Sequence, residues 1–553
     1  MTVLDFYGKG SDRPWPNPRL TTASIVGHVT HKTARVWVRV WEPGTYWLVV
    51  SDAPIPISGE LAIVSTGTTR ALTITSAQGM TQSYKRVLEQ VITFETDLTS
   101  VFNISTLKPG SKYYYALLQT RKDNSDADAT PRWEVSPDST YNCFQTQDPK
   151  AEKLTFGLFS CHMPYKKNAD VVNLQMWERF GEELSDRDAD FVIGGGDQAY
   201  TDGNKDLSIW RFLTKVKGEI SALPQNERHK IMLSWYRDIY RGYWGIRPLR
   251  RVFSKFPVYM IWDDHEIMDG WGSHTKKELS NLLDSIWEWE NPEKNLNLVS
   301  EMFGAAKQAY MEYEHSHNPD TVLETWDYSF SWGSAAFYVL DMRGQRDFNR
   351  KTDDKILGRS QMNRFAEWAR SEVVSNAKAV FVVSPVPVVH ANEFLVNHLD
   401  LAAFTIADDL RDEWEHDSNW AERNQVLDHI FRISQEQEKI VAILSGDVHI
   451  GAAFRLSRNS APKARVYQLT SSGITYPMPA FLKLLVKKGG VLGDDHQTKK
   501  ANPTTFKLLH TLCRNNFGIV QVHTKPDIRV TWDLYGSTGE EDEIVRLKRI
   551  DLD

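Results

Sequence analysis

The stretch FGLFSCHMPY, residues 156–165, decides how the rest of the chain is read. The apolar run Leu154 to Phe159 reads as a buried strand, and it stops at Ser160-Cys161-His162 just before a proline. Strand ends that open into loops are where α/β proteins place their chemistry. Working outward, further short apolar runs alternate with helical segments, the signature of an α/β fold. The expected strands are LTFGLF (154–159), FVIGG (191–195), VYMIW (258–262), AAFYVLD (335–341), AVFVVS (379–384) and IVAILSG (440–446). Between them, MNRFAEWARSEVVSN (362–376) and IMLSWYRDIYRGYW (231–244) read as helices, and NFGIVQVH and DIRVTWDLYG return to strand near the C-terminal end.

Upstream of residue 148 the texture is strand and turn. TARVWVRVW (33–41) sets Ala34, Val36, Val38 and Val40 against Arg35, Trp37 and Arg39, the period of a half-buried strand. LKPGSKYYYALL (107–118) puts a Pro-Gly turn before Tyr113 and Tyr115, which suits a sandwich corner where a tyrosine hydroxyl ties back to the backbone. We therefore expect two domains: an all-β fibronectin/immunoglobulin-like sandwich over 1–148, and an αββα sandwich over 149–553. Helical insertions are expected at about 205–255 and 270–330. The polar stretch QTQDPKAEK (145–153) reads as the linker.

Composition narrows the function classes. The 553 residues are 41% hydrophobic and 25% charged, so the chain has the makings of a large core. A net charge of −7 argues against a dedicated nucleic-acid binder. Three scattered cysteines, Cys143, Cys161 and Cys513, are too few for a disulfide framework and fit a reducing compartment. No secretory or twin-arginine pattern opens the sequence, and nowhere do about 18 apolar residues run together, so a cytoplasmic protein without a membrane span is expected.

Four strand ends carry polar clusters: Ser160-Cys161-His162, Gly196-Asp197-Gln198-Ala199-Tyr200, Asp263-Asp264-His265-Glu266 and Gly446-Asp447-Val448-His449. The carboxyl ends of parallel strands lie on one edge, so the clusters should converge on one crevice. Hard divalent cations take carboxylate oxygens, whereas thiolate and imidazole suit iron or zinc. Asp197, Asp264 and Asp447 are thus candidates for one cation, and Cys161, Tyr200 and His449 for a second, with Asp197 shared. Two ions about 3.5–4 Å apart are what an in-line displacement at phosphorus exploits. A phenol of ordinary pKa about 10 needs a strong Lewis acid beside it to ionise, so ferric iron (Fe3+) comes first and zinc second.

The motifs SCH, GDQAY, WDDHE, LDMRGQR and SGDVH, in this order, resemble those of the alkaline phosphatase D (PhoD-like) branch of the calcineurin-type metallophosphoesterases. The resemblance covers most of 154–480, and the N-terminal sandwich resembles the β-domain of that branch. It implies hydrolysis of phosphate monoesters or diesters at a centre of iron and calcium, with Zn, Mn or Mg as alternatives. It places Cys161, Asp197, Tyr200 and His449 at the iron and Asp197, Asp264 and Asp447 at the second metal. The chain departs from the pattern in three places. His162 stands where the branch commonly has glutamine, and in the Asp-x-His register of the wider superfamily it would displace Cys161. The loop after AVFVVS lacks the superfamily's usual histidine, with His390 a few residues on. The branch's frequent twin-arginine export signal is not seen.

Within WDDHE, His265 is the candidate general acid, its pKa held near working pH by a carboxylate such as Asp263 or Glu266. The expected nucleophile is a metal-bound hydroxide. Arg343 and Arg346 in LDMRGQRD are candidates for gripping phosphate oxygens, with salt bridges to Asp341 or Asp347 as the alternative. The substrate is expected to be a small phosphate ester. A phosphodiesterase specialised for nucleotides or lipid headgroups, or a binding or scaffold protein whose metals serve structure alone, is the alternative.

Overall fold

The computed structural model describes residues 23–55, 60–66, 69–75, 81–84, 86–120, 131–134, 142–165, 174–202, 208–220, 222–287, 292–322, 325–348, 355–390, 411–477, 496–498, 502–538 and 543–553. Its N-terminal part is all β. The strands are β1 (Ala23–Val29), β2 (Ala34–Arg39), β3 (Gly44–Ser51), β4 (Glu60–Thr66), β5 (Thr69–Thr75), β6 (Thr81–Tyr84), β7 (Val87–Ile92), β8 (Thr99–Ile104), β9 (Lys112–Thr120), β10 (Pro131–Glu134) and β11 (Asn142–Gln145). They pair as three antiparallel sheets: β1-β2-β8, β10-β9-β3-β7 with β11 also on β9, and β4-β5-β6.

The tyrosine corner is present, since Lys108 N donates to Tyr113 Oη at 2.9 Å. The alternation expected of TARVWVRVW is not: Val36, Trp37, Val38 and Arg39 are all buried. The face meant for solvent is instead covered by the helix Pro292–Tyr313. Trp37 Nε1 donates to Glu312 O at 2.7 Å and Arg39 Nε to Tyr313 Oη at 3.1 Å. The polar stretch 145–153 is a packed seam at its start, where Gln147 Nε2 donates to Val29 O (2.7 Å) and Ser331 O (3.0 Å).

The remaining strands are β12 (Lys153–Phe159), β13 (Phe191–Gly194), β14 (Val258–Met260), β15 (Tyr328–Trp332), β16 (Ala335–Val339), β17 (Ala379–Ser384) and β18 (Ile440–Ser445). After these come β19 (Gly451–Ser457), β20 (Arg465–Ser471), β21 (His496–Gln497), β22 (Thr505–Leu512), β23 (Asn516–His523), β24 (Arg529–Ser537) and β25 (Ile544–Leu552). One sheet runs β14-β13-β12-β23-β24-β25, the other β15-β16-β17-β18-β20-β19-β22-β21. Strands β12 to β14 are mutually parallel, as are β16, β17, β18 and β20. The two sheets meet through aromatic rings: Phe156 of β12 lies 5.5 Å from Phe337 and 5.2 Å from Phe381, both edge-on.

Helices cover the outer faces. Helix Gln175–Asp186 buries Trp177, Phe180 and Leu184 against the first sheet, and a Cβ on Gly157 would stand 2.5 Å from the Phe180 ring. Phe365 of helix Gly358–Trp368 packs on Tyr338 of the second sheet. The single helix expected over 362–376 is two, because Ser371 caps a new start at Glu372–Asn376 with its hydroxyl accepting from Val374 N. The expected insertions hold helices Ile209–Ile220, Gln225–Trp244, Arg247–Phe253, Lys276–Trp287 and Pro292–Tyr313. Trp235, Tyr236, Tyr240, Tyr243 and Trp244 are all core. Among the described residues, no helix is long and apolar enough to cross a membrane.

The seam between the two parts buries neutral imidazoles. Burial, with the Arg35 charge adding to it, holds His28 and His315 down to about 4; burial, the neighbouring His315 and Arg35 hold His317 down to about 3. Unfolded histidine takes up a proton near pH 6.5. The unfolded chain therefore binds more protons than the folded one between about pH 6.5 and 4, and stability falls as pH falls through that window. We expect the thermal midpoint to drop on acidification below pH 6.5, with His317→Asn flattening the slope. An equal slope in that variant would place the acid sensitivity elsewhere.

Candidate metal centre

The loops that follow β12, β13, β14 and β18 meet where the two sheets present their carboxyl edges. They are laced by backbone: Cys161 N donates to Gly196 O (3.3 Å), His162 N to Asp197 O (2.8 Å) and Gly446 N to Pro385 O (2.8 Å). The approach is close enough that a Cβ on Gly446 would lie 2.3 Å from Ser160 Oγ, so only glycine fits there. Turning four of the candidate ligands inward is costly. Cys161, Asp197, Asp447 and His449 all adopt left-handed backbone, with φ of 53°, 57°, 62° and 54°. Non-glycine residues in that region cost on the order of 1–3 kcal/mol each, and such strain concentrates at functional sites.

Three groups of side chains have ligand atoms within 4.8 Å of one another: Cys161, Asp197 and His449; Asp197, Asp264 and His265; and Asp197, Asp263, Asp264 and Asp447. Asp197 belongs to all three. Cys161 Sγ is 3.4 Å from Asp197 Oδ2, and Tyr200 Oη lies 3.1 Å from that oxygen and 3.4 Å from His449 Nε2. The structure thus brings together Cys161, Asp197, Tyr200, Asp264, His265, Asp447 and His449.

The electrostatics of this cluster ask for a cation. Asp197 Oδ1, Asp263 Oδ2 and Asp264 Oδ1 are buried without a hydrogen-bond partner, which is costly for carboxylates left alone. Burial, then the charges of Asp264 and Asp263, push Asp197 well above the carboxylate range despite the opposing His265 and Arg343. Burial pushes Asp263 up to about 7. Burial and the Asp263, Glu413, Asp264 and Asp197 charges raise Asp447. Burial, with Asp197 and Asp447, raises the Cys161 thiol, and burial with Asp197 and Cys161 raises Tyr200. Asp264 alone goes the other way: burial opposes, but Arg343, His265 and the Gly270 N–H hold it low. An all-carboxylate group beside a sulfur, imidazole and phenol group has the chemistry of a hard-cation site next to a softer one.

Several sequence expectations are corrected. His162 is not in any of these groups: it is fully buried, and its Nδ1 accepts from Trp177 Nε1 at 3.0 Å and lies 3.1 Å from Thr475 Oγ1. The Cys161 register is therefore the one built. His390 is buried and is outside the groups as well. The carboxylate on His265 is Asp202, whose Oδ1 is 2.7 Å from Nδ1, and neither Asp263 nor Glu266. Glu266 instead accepts the backbone N–H of Asp263 (2.7 Å), Ala199 (3.0 Å) and Asp197 (3.2 Å), pinning two ligand loops together.

Arg343, read from sequence as a candidate grip for phosphate oxygens, is fully buried, with Nε and Nη1 bonded within the protein and Nη2 without a hydrogen-bond partner among the described residues. Its Nε donates to Asp263, its Nη1 donates to Trp271 O (2.9 Å) and Asp412 Oδ1 (2.8 Å), and its Nη2 lies 3.4 Å from Asp264 Oδ1. Arg346 donates to Arg411 O at 2.8 Å and faces Asp412, not Asp341 or Asp347. Removing one partner of a buried charged network costs about 3–5 kcal/mol. Arg343→Met should lower the thermal midpoint accordingly, and an unchanged midpoint would mean that Asp263 and Asp412 are neutralised by something else.

Sequence reasoning missed Asp202, Asp412 and Ser472, and it did not place Asp263 in the converging carboxylate group. Ser472 Oγ accepts from His449 N (2.9 Å) and sits 3.1 Å from Cys161 Sγ. The one legible signal was the doubled acid in WDDHE: past a strand end, adjacent side chains are free of the strand's alternation and both can face one cleft.

Residues 156–528 match the family model of the PhoD-like phosphatases. The chain belongs to that family. A solved structure, that of PhoD, superposes with a TM-score of 0.61 at 15% identity, covering 98% of this chain and 91% of that one, and so shares its fold. The protein YGR266W of Saccharomyces cerevisiae (strain ATCC 204508 / S288c), which is uncharacterised, is 23% identical over 331 residues. That match takes in 48% of this PhoD-like chain and 45% of the yeast protein, so the chain matches under half of that relative's length.

Proposed function

We propose that this PhoD-like protein hydrolyses small phosphate esters at a dinuclear metal centre in which Asp197 is the shared ligand. The observation that carries the reading is the membership of Asp197 in every group of converging ligand atoms, with its Oδ1 buried and unpartnered. Cys161, Tyr200 and His449 would hold one ion and Asp264 and Asp447, with Asp263, the other. The mixed sulfur, nitrogen and phenol set favours ferric iron, and the carboxylate set favours calcium, with Zn, Mn or Mg as the alternatives. When bound, such a pair polarises the phosphoryl oxygens and lowers the pKa of a water to about 7, making hydroxide available for attack on phosphorus.

The chain's own residues do the rest. Asp202 holds His265 by Nδ1, which leaves Nε2 to protonate the leaving oxygen. Tyr200 stacks at 4.1 Å on the His265 ring and limits its rotation. Arg343 is a positioning residue here: it fixes Asp263 and faces Asp264, and it leaves the substrate to other groups. The domain reading travels with this proposal. An N-terminal unit of fibronectin/immunoglobulin type ending near 148 is supported by its antiparallel pairing and tyrosine corner, and an αββα sandwich from 149 by two face-to-face sheets with helices outside. Cys143, Cys161 and Cys513 are not joined in disulfides, which supports a cytoplasmic setting.

The test is turnover of an aryl phosphate monoester and the matching diester by the purified protein, before and after chelation. Turnover of either ester that chelation abolishes and added metal restores supports the proposal, and the preferred ester separates phosphatase from phosphodiesterase. Turnover that survives complete metal removal would overturn it, and inertness of the metal-loaded protein on both esters would favour a scaffold role.

A further inference from the structure

The helix Pro292–Tyr313 ends in three consecutive residues whose partners lie on opposite sides of it. On the outer side stands the N-terminal β unit. Trp37 Nε1 donates to Glu312 O at 2.7 Å, Arg39 Nε donates to Tyr313 Oη at 3.1 Å, and Tyr313 Oη donates to Asp97. The Trp37 and Tyr313 rings are 5.6 Å apart. Asp97 is itself fixed, accepting from Arg241 Nε at 2.7 Å. It sits in a turn where both Asp97 and Leu98 take left-handed backbone, at φ of 53° and 63°.

On the inner side the next residue, Glu314, is fully buried and accepts from Gln198 Nε2 at 2.8 Å. The same amide nitrogen donates to Ile261 O at 3.0 Å, and Gln198 Oε1 accepts from Gly196 N at 2.8 Å. Gly196 and Gln198 are the two neighbours of Asp197. Plain packing of a helix against a domain needs apolar contact alone. Here one hydrogen bond ties Tyr313 to Asp97, the chain carries on to the adjacent Glu314, and hydrogen bonds then lead from Glu314 to Gln198 and Gly196, the two flanks of the residue that the metal reading makes the shared ligand. A buried Gln–Glu pair is costly unless satisfied, and the bonds of the Gln198 amide reach Gly196 N and Ile261 O, on the loops that carry the candidate ligands.

From this geometry we infer that the N-terminal β unit braces the Asp197 loop, with Tyr313, Glu314 and Gln198 as the positioning residues through which it acts. The inference rests on the metal-centre reading above. Removing the brace leaves the ligands in place by sequence but lets Asp197 leave its strained conformation, so metal affinity falls while the overall fold persists. Groups that orient metal ligands from behind are typically worth 10- to 100-fold in affinity.

The experiment is calorimetric titration of Mn2+ into the chelator-stripped full chain. Tyr313→Phe keeps the ring on Trp37 and removes the hydroxyl's two bonds to the N-terminal β unit, to Asp97 and from Arg39; it should weaken Mn2+ binding about 10-fold. Glu314→Leu should weaken it by about 10- to 100-fold, and Glu314→Gln, which can still accept from Gln198, should restore most of the loss. The double variant Tyr313→Phe with Glu314→Leu should be no worse than Glu314→Leu alone, since both break one series of bonds. Tyr115→Phe is the control, because it removes a different bond between the two parts, Tyr115 Oη to Ser254 O at 2.9 Å, that leads to no ligand loop. Mn2+ affinity should be unchanged in it. Tyr313→Phe within twofold of the wild type, or Tyr115→Phe as damaging as Tyr313→Phe, overturns the brace while leaving the metal centre standing. If Glu314→Leu fails to fold, Asp97→Asn takes its place with the same expected loss. A wild type that takes up no Mn2+, nor any of the other candidate metals, overturns both readings together.

Discussion

Asp197→Ala is expected to bring phosphate-ester turnover down to the assay background, a loss beyond the roughly 10²–10⁴-fold that a general acid supplies. The reason is topological. Asp197 follows a parallel strand of the first sheet, its backbone is left-handed, and its carboxylate lies within reach of the Cys161–His449 pair and of the Asp263–Asp264–Asp447 group. In the proposed centre each other ligand would serve one ion, so losing it would weaken that ion alone. Losing Asp197 removes the group between the two and leaves Asp263, Asp264 and Asp447 facing one another. Because the side chain makes no apolar contribution to the core, the fold should survive, and circular dichroism on the variant separates lost chemistry from lost structure. A correctly folded Asp197→Ala protein retaining even a tenth of wild-type turnover would contradict the shared-ligand reading.

The second large effect belongs to His265. His265→Gln should lower kcat by about 10²–10⁴-fold on esters with a poor, alkyl leaving group and much less on nitrophenyl esters, whose leaving oxygen needs little protonation. Equal losses on both would show that His265 serves as a ligand rather than an acid. A pH signature accompanies this. Burial alone would lower His265, but the carboxylates of Asp202, Asp264 and Asp197 outweigh it and hold the imidazole well above its ordinary value. A general acid works only below its pKa, so raising that pKa carries activity to higher pH. Asp202→Asn removes the nearest of these charges and should move the alkaline limb of the kcat profile to lower pH, while an unmoved limb would assign it to another group.

How much of this was legible in the sequence follows from which signals are local. A run such as Leu154 to Phe159 is apolar because both faces of its strand are covered, and the polar residue that ends it marks the cleft. Reading several such ends side by side was therefore enough to assemble Cys161, Asp197, Tyr200, Asp264, His265, Asp447 and His449 without coordinates. What hid was whatever depends on a partner distant in sequence. Arg343 sits 80 residues from Asp263 and 69 from Asp412. Nothing near LDMRGQRD announces that its Nε and Nη1 are already bonded to these acids. Asp202 is 63 residues from His265, and the nearer acids in WDDHE offered a plausible but wrong partner. Trp37 and Arg39 looked solvent-facing because an alternating strand implies water on one side, whereas the helix that replaces the water comes about 270 residues later. The candidate ligands at the strand ends are written locally, and their supports are written in the tertiary fold.

The most direct test of the account is the metal content of the purified protein, by elemental analysis of the wild type and of Asp197→Ala prepared side by side. The account predicts two metal ions per chain in the wild type and fewer than one in the variant. Two ions retained in Asp197→Ala would contradict it.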